Sequence, residues 1–255
     1  MARGGPIRTS VGGSTADTIT VAGHDLVDDL LGKISATELL YLEIQGTLPR
    51  PEQTQLLNAM IVSLAEHGMM PSVIAARMTM LGAPESFQGA LASGLLGVGD
   101  TFVGPSANVG RMLQEEAQEF EGSAAEKAER LVAKYYDQKK RIPGIGHPHH
   151  TIDPRAEKLL AMQRELGVAD EYVTLMLNIH KAAIARRGSH LTFNATAAVG
   201  AIASDLGIEW RAIRGLGLVA RSIGLVGHIY EEMRKPIGRA IWNLVEDHTE
   251  YENPV

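Results

Sequence analysis

No cysteine occurs in the chain, so a disulfide framework, a thiolate metal site and a cysteine nucleophile are all excluded. An excess of positive charge is missing as well: 24 Lys and Arg stand against 30 Asp and Glu, a formal net charge of −6. Such a balance exerts no general pull on a phosphate backbone and argues against nucleic acid as a partner. A local cluster such as "KKR" at 139–141 can still hold a phosphate group. The opening "MARGGPIRTSVGGSTADTI" lacks the apolar core of a signal peptide. The longest apolar run, "GLGLVARSIGLVGHIY", contains Arg221 and reads as too short and Gly-rich to span a bilayer. These absences point to a cytoplasmic chain with no membrane partner.

What is present is ordinary globular composition in 255 residues, enough for one large domain or a large domain with a smaller lobe. Residues 1–23 are rich in Gly, Ser and Thr, and the short alternation in "DTITVAG" predicts an extended arm or short strand. Beyond them the apolar period is helical. Ser35 with Glu38 and Ser123 with Glu126 have capping-box spacing, and Gly46 and Gly68 stand where helices stop. Roughly ten helical segments and no set of alternating strands predict an all-α fold. Gly and Ala in "GALASGLLGVG" and "NATAAVGAIA" weaken isolated helices but permit close packing of buried ones.

The most chemically loaded stretch is "RIPGIGHPHHTIDPRAEKLL", residues 141–160. Asp153 suits an N-cap and Pro154 the first helical position. Arg155 then sits at the positive end of a helix dipole, unfavourably unless an anion is near. Two readings stay open: a site for a carboxylate or phosphate, or an arginine paired with Asp153 or Glu157. Gly144 and Gly146 let backbone groups approach a ligand closely, and His147, His149 and His150 place groups beside them that titrate near neutrality. A metal site is the weaker reading, because no HExxH-type motif accompanies the histidines.

"PGIGHPHHTIDPRA" resembles the "GxGH…DPRA" signature of the citrate synthase superfamily. "LAEHGMMPSVIAARM" is similar to its "DHxxxxSxxxAR" helix, "LVARSIGLVGHIYEE" to its C-terminal arginine-and-histidine helix, and "VAGHDLVDDLLGKISATELLYLEIQGTLP" to its opening segment. The four motifs occur in family order between about residues 18 and 245. Citrate synthases carry a catalytic histidine in "LHGGANE"; that position here is Phe102, within "GDTFVGP", which resembles citryl-CoA lyases and the lyase portion of ATP-citrate lyase.

The resemblance implies an all-α, citrate synthase-like fold: a large domain from residues 1–111 and 211–255, a smaller inserted domain from about 112–210, and a site in the cleft. It implies a citryl-CoA lyase-like carbon–carbon lyase or acyltransferase acting beside a coenzyme A thioester, without metal or redox cofactor, in a homodimer or higher oligomer. His147 would exchange the hydroxyl proton; Arg155 and Arg221 would hold carboxylates; His67, His228 and His149 would act on or shape the substrate site. Arg141, Gly144, Ile145 and Gly146 would line the coenzyme A site. Thr196 occupies the position of the family's catalytic aspartate, and a hydroxyl is no general base at neutral pH. Asp205 lies about two and a half turns further along the same helix and cannot stand in. Three consequences stay open: His149 or His150 supplies the proton transfer, a different acyl-CoA or carboxylate is the substrate, or the chain is a non-catalytic binding protein or partner subunit.

Overall fold

The computed structural model describes residues 7–146 and 153–253. The expected extended arm is a small antiparallel sheet, β1 (Gly12–Ser14), β2 (Ile19–Val21) and β3 (His24–Asp25), in the order β1-β2-β3. Gly12 stands opposite Val21, and Thr20 opposite Asp25. Asp25 then caps a short π-type turn over Leu26–Leu30.

Eleven α-helices follow among the described residues. They are α1 (Ala36–Gln45), α2 (Pro51–Ala65), α3 (Pro71–Gly82), α4 (Phe87–Leu96), α5 (Gly104–Gln114), α6 (Ala124–Asp137), α7 (Pro154–Leu166), α8 (Glu171–Arg187), α9 (Ala195–Asp205), α10 (Trp210–Arg234) and α11 (Gly238–Asp247). Both capping boxes form as spaced, and Gly46 ends α1 at φ 73°. The all-α expectation holds.

The small-residue helix is the centre of the packing. Residues 195 and 197–204 of α9 are all buried, and α5, α7 and α8 surround it. A Cβ at Gly200 would fall 2.6 Å from the Ser106 carbonyl oxygen and the Val109 Cβ, so glycine here sets the approach of α5 to α9. Leu56, Leu57, Met60, Met112, Leu113, Ile179 and Ile202 complete the main core with no exposed surface. Each such side chain stabilises the fold by about 1.5–3 kcal/mol relative to exposure. A second cluster of Val73, Ala76, Met80, Ala90, Leu225 and Ile229 joins α3, α4 and α10.

Two features of the C-terminal part differ from the sequence expectation. The apolar run around Arg221 belongs to one 25-residue helix, α10. Its mean hydropathy of 1.2 and its length suffice for a membrane span. In the fold it packs instead against α2, α3, α4 and α5, burying Arg221 and Glu232. The reading as too short counted the apolar stretch alone, whereas the helix runs on through both flanks; Gly217 and Gly224 within it are points of close contact with neighbouring segments. A Cβ at Gly224, for instance, would overlap the Ala65 carbonyl at the end of α2. The added helix, α11, starts where the Glu232 carboxylate accepts the backbone N–H groups of Ile237 (3.0 Å) and Gly238 (2.7 Å). Apart from Gly238, which is buried, and Ile241, which is half-buried, its residues are exposed.

Candidate active site

The loop before His147 is bolted to the start of α9. Gly144 has φ +79°, and a Cβ there would lie 2.7 Å from the Ala197 Cβ and 2.9 Å from Val109 Cγ2, so no other residue fits. Gly146 donates its N–H to the Thr192 carbonyl (2.7 Å), and Asn194 donates its N–H to the Gly144 carbonyl (3.2 Å). The Asn194 side chain closes the joint from both ends. Its Nδ2 donates to the Gly146 carbonyl at 2.8 Å, while its Oδ1 accepts from the N–H groups of Thr196 (3.0 Å) and Ala197 (3.1 Å). The Thr196 hydroxyl also donates to that Oδ1, at 2.6 Å. With its proton so committed, Thr196 presents only acceptor lone pairs to anything else.

The start of α7 meets the same place. Asp153, 1% exposed, accepts from Arg155 N (3.1 Å) and Nε (3.0 Å) through Oδ1, and from Arg155 Nη2 (2.9 Å) and Ala195 N (2.7 Å) through Oδ2. Burial by itself would raise the Asp153 pKa; the Arg155 guanidinium and the Ala195 amide outweigh it and hold the carboxyl below its ordinary value. One carboxylate thus caps α7, orients Arg155 and holds the first amide of α9. Of the two sequence readings of Arg155, the pair with Asp153 is realised.

Arg221, on α10, is 8% exposed, and neither its Nε nor its Nη1 finds a partner among the described residues. Burial lowers its pKa, Glu66 acts to raise it, and the positive charge of Arg155 lowers it further. A buried guanidinium with idle donors and a like charge nearby is a costly arrangement without an anion.

His67 follows the end of α2, with an exposed side chain. Its backbone N–H (2.8 Å) and that of Gly68 (2.6 Å) both donate to Glu66 Oε1. His228, one turn beyond Gly224 on α10, lies between Glu66 and Arg77: Nε2 is 3.0 Å from Glu66 Oε2, and Nδ1 is 2.9 Å from Arg77 Nη2. Arg77 is 1% exposed and also binds Glu232 at 2.8 Å and Glu231.

A cavity of about 870 Å³ opens on the outer side of the glycine loop. Lys140, Arg141 and Arg187 give it three cations, Tyr136 and Ile145 apolar wall, and Gly146 exposed backbone. Phe102, 39% exposed, is the neighbour of Thr101, which also lines it.

Residues 19–242 match the family described as Citrate synthase, C-terminal domain. The chain belongs to the citrate synthase family. Among solved structures it is similar to citryl-CoA lyase from Hydrogenobacter thermophilus, with a TM-score of 0.89 and 29% identity, covering 98% of this chain and 95% of that one. It also superposes on ATP citrate lyase from Methanothrix soehngenii in complex with citrate and coenzyme A, TM-score 0.82 at 23% identity, covering all of this chain and 43% of that one. The citrate synthase of Deinococcus radiodurans is 28% identical over 220 residues, 82% of this chain and 55% of that protein. The chain spans about half or less of the length of the curated relatives it matches.

Within this citrate synthase-family fold, the residues singled out from the sequence fall into two groups. Gly144, Ile145, Gly146, Thr196 and Arg155 converge on the junction of the glycine loop with α7 and α9. His67 and His228 both hydrogen-bond to Glu66, whose charge acts on Arg221. Arg141 lies on the outer cavity. His147, His149 and His150 lie outside the described residues. Asp205 is engaged elsewhere: it accepts from Tyr172 N (2.8 Å), Val173 N (3.1 Å) and Gln163 Nε2 (3.0 Å) at the start of α8, and burial pushes its pKa up to about 6. Glu66, Asn194, Arg77 and Arg187 were not singled out. Glu66 and Arg77 stand at the first and last positions of the stretch that resembles the "DHxxxxSxxxAR" helix, and Asn194 lies two residues before Thr196, which were the sequence signals available for them. Among the described residues no group of three His, Asp or Glu is placed to hold a metal.

Proposed function

We propose that this chain cleaves, or in reverse forms, a carbon–carbon bond beside a coenzyme A thioester, with citryl-CoA going to acetyl-CoA and oxaloacetate as the model reaction. The observation that carries this reading is the idle, buried guanidinium of Arg221 under the electrostatic influence of Arg155, a pair of cations suited to a di- or tricarboxylate. Similarity to a citryl-CoA lyase across nearly the whole of both chains supports it.

In this reading His147 takes the proton of the substrate hydroxyl as the adjacent carbon–carbon bond breaks. The hydroxyl carbon becomes a ketone, and the bonding electrons pass into the thioester enolate. Arg155 and Arg221 neutralise the carboxylates. The Gly144–Gly146 loop supports the coenzyme A moiety, with Lys140, Arg141 and Arg187 placed for its phosphates. Closure of an inserted domain near residues 112–210 over the cleft would exclude water from the enolate.

Thr196 leaves the proton transfer at the thioester methyl without the family's carboxylate in either direction. Synthesis requires a positioned base to remove a proton from the thioester methyl, and a hydroxyl already donating to Asn194 is not one. Cleavage requires the reverse, a proton delivered to the enolate carbon; His149 or His150 is the group proposed for both directions. The same observation supports a second reading, in which the chain binds coenzyme A thioesters or carboxylates without turnover, alone or as a partner subunit.

Single-turnover cleavage of citryl-CoA, followed by acetyl-CoA release in the native chain and in His147→Ala, tests the reading. Loss of cleavage in the variant supports it; no cleavage by the native chain, with binding retained, leaves the binding role. Thr196→Asp separates the two further, since a restored carboxylate should introduce exchange of the acetyl-CoA methyl protons with solvent deuterium.

We also propose a homodimer. Val219, Ile223, Val226, Tyr230 and Met233 recur at intervals of three and four along α10 and are 39–57% exposed, an apolar stripe suited to pairing with its own copy. Ile223→Glu is expected to shift the sedimentation coefficient to that of a monomer.

A further inference from the structure

We propose that His228 acts through Glu66 rather than by touching substrate: Arg77 fixes it as the neutral Nε2–H tautomer, and its N–H clamps the Glu66 carboxylate that sets the His67–Gly68 turn and faces Arg221. This deepens the functional reading above, because it assigns positioning residues to the same site.

The tautomer follows from the donor inventory. A guanidinium donates and never accepts, so the 2.9 Å contact from Arg77 Nη2 requires a lone pair on His228 Nδ1. The ring proton must then sit on Nε2, where the Glu66 carboxylate accepts it at 3.0–3.1 Å. Both ring nitrogens are thereby engaged, which leaves His228 no polar atom for a ligand.

Arg77 cannot swing away from this duty. It is 1% exposed; Glu232 accepts from its Nη1 and Glu231 from the same Nη2 that reaches His228, while its Nε has no partner among the described residues. Glu232 in turn accepts from the amides that begin α11, so the anchor is fixed at both ends of the α10–α11 corner.

At the other end the clamp has something to position. Glu66 Oε1 accepts the amides of His67 and Gly68, and Gly68 has φ +70°, the geometry that turns the chain out of α2. Glu66 is 54% exposed at its side chain, and its charge acts on Arg221. Without the His228 N–H, a half-exposed carboxylate would sample several rotamers, and the turn carrying His67 would loosen with it.

The test is a two-bond ¹H–¹⁵N correlation spectrum of the full chain labelled with ¹⁵N-histidine, with His228 identified by the peaks lost in His228→Gln. The expected spectrum near neutral pH, without ligand, shows one unprotonated nitrogen, Nδ1, and one protonated, Nε2. Arg77→Lys is expected to replace this with an average of both tautomers. An Nδ1–H tautomer or an imidazolium in the native chain overturns the proposal, and this readout stands whether or not the chain cleaves citryl-CoA. The positioning role is read from hydrogen exchange at the His67 and Gly68 amides. His228→Gln, whose carboxamide can accept from Arg77 and donate to Glu66, should keep their protection within about threefold, and His228→Leu should lower it by about tenfold or more. Equal exchange in the native, Gln and Leu proteins overturns the positioning role. If His228→Leu does not fold, Glu66→Ala, which removes the acceptor from the exposed side, is expected to give the same loss of protection, and unchanged protection there likewise overturns it.

Discussion

Asp153 and Arg155, two residues apart, are closed into a two-pronged pair, with Nε on one carboxylate oxygen (3.0 Å) and Nη2 on the other (2.9 Å). The same carboxylate holds the Ala195 amide at 2.7 Å, so this pair joins the start of α7 to the start of α9. The Arg155 guanidinium is therefore held in a fixed orientation where α7 meets α9. Asp153→Asn weakens the pair and removes the buried negative charge that balances the guanidinium. It is expected to cost about 2–4 kcal/mol, read as a lower urea midpoint with unchanged slope.

Arg221 is predicted to trade stability for binding. Its buried Nε and Nη1 lack partners among the described residues, so Arg221→Met should leave the fold unharmed or stabilise it by about 1 kcal/mol or more. Citrate is expected to raise the melting temperature of the native chain, and the same variant should lose that rise. Destabilisation together with an undiminished citrate effect would place the anion elsewhere.

Asp205 gives the stability curve a defined pH signature. Burial raises its pKa to about 6, above the unfolded carboxyl value, so the folded state binds the extra proton. Its contribution is fully present below about pH 4 and is lost as pH rises through about 6, an effect on the order of 3 kcal/mol. Asp205→Asn should remove this slope, seen when melting temperatures of the two proteins are compared across that window.

Gly144→Ala should fail on two counts. The backbone is at φ +79°, and the new Cβ would meet Ala197 and Val109 at 2.7–2.9 Å. The expected loss is about 2 kcal/mol or more in a urea titration, with weakened binding of coenzyme A because the Gly146 backbone moves with the loop.

The sequence by itself determined the helical class, both capping boxes, the N-cap at Asp153 and the family motifs in order, because each is written in local spacing or in short contiguous stretches. It also marked Thr196, since a residue type at a motif position needs no coordinates to be read.

Only the tertiary structure decided how the marked residues are used. Arg155 is paired with Asp153, the buried Nε and Nη1 of Arg221 have no partner among the described residues, and His228 is spanned between Glu66 and Arg77, partners 162 and 151 residues away in the chain. What the glycines of α10 do was decided by the fold in the same way: whether a helical glycine seats its helix on a neighbour depends on what lies opposite. At Gly224 that is the Ala65 carbonyl, which local sequence does not reveal.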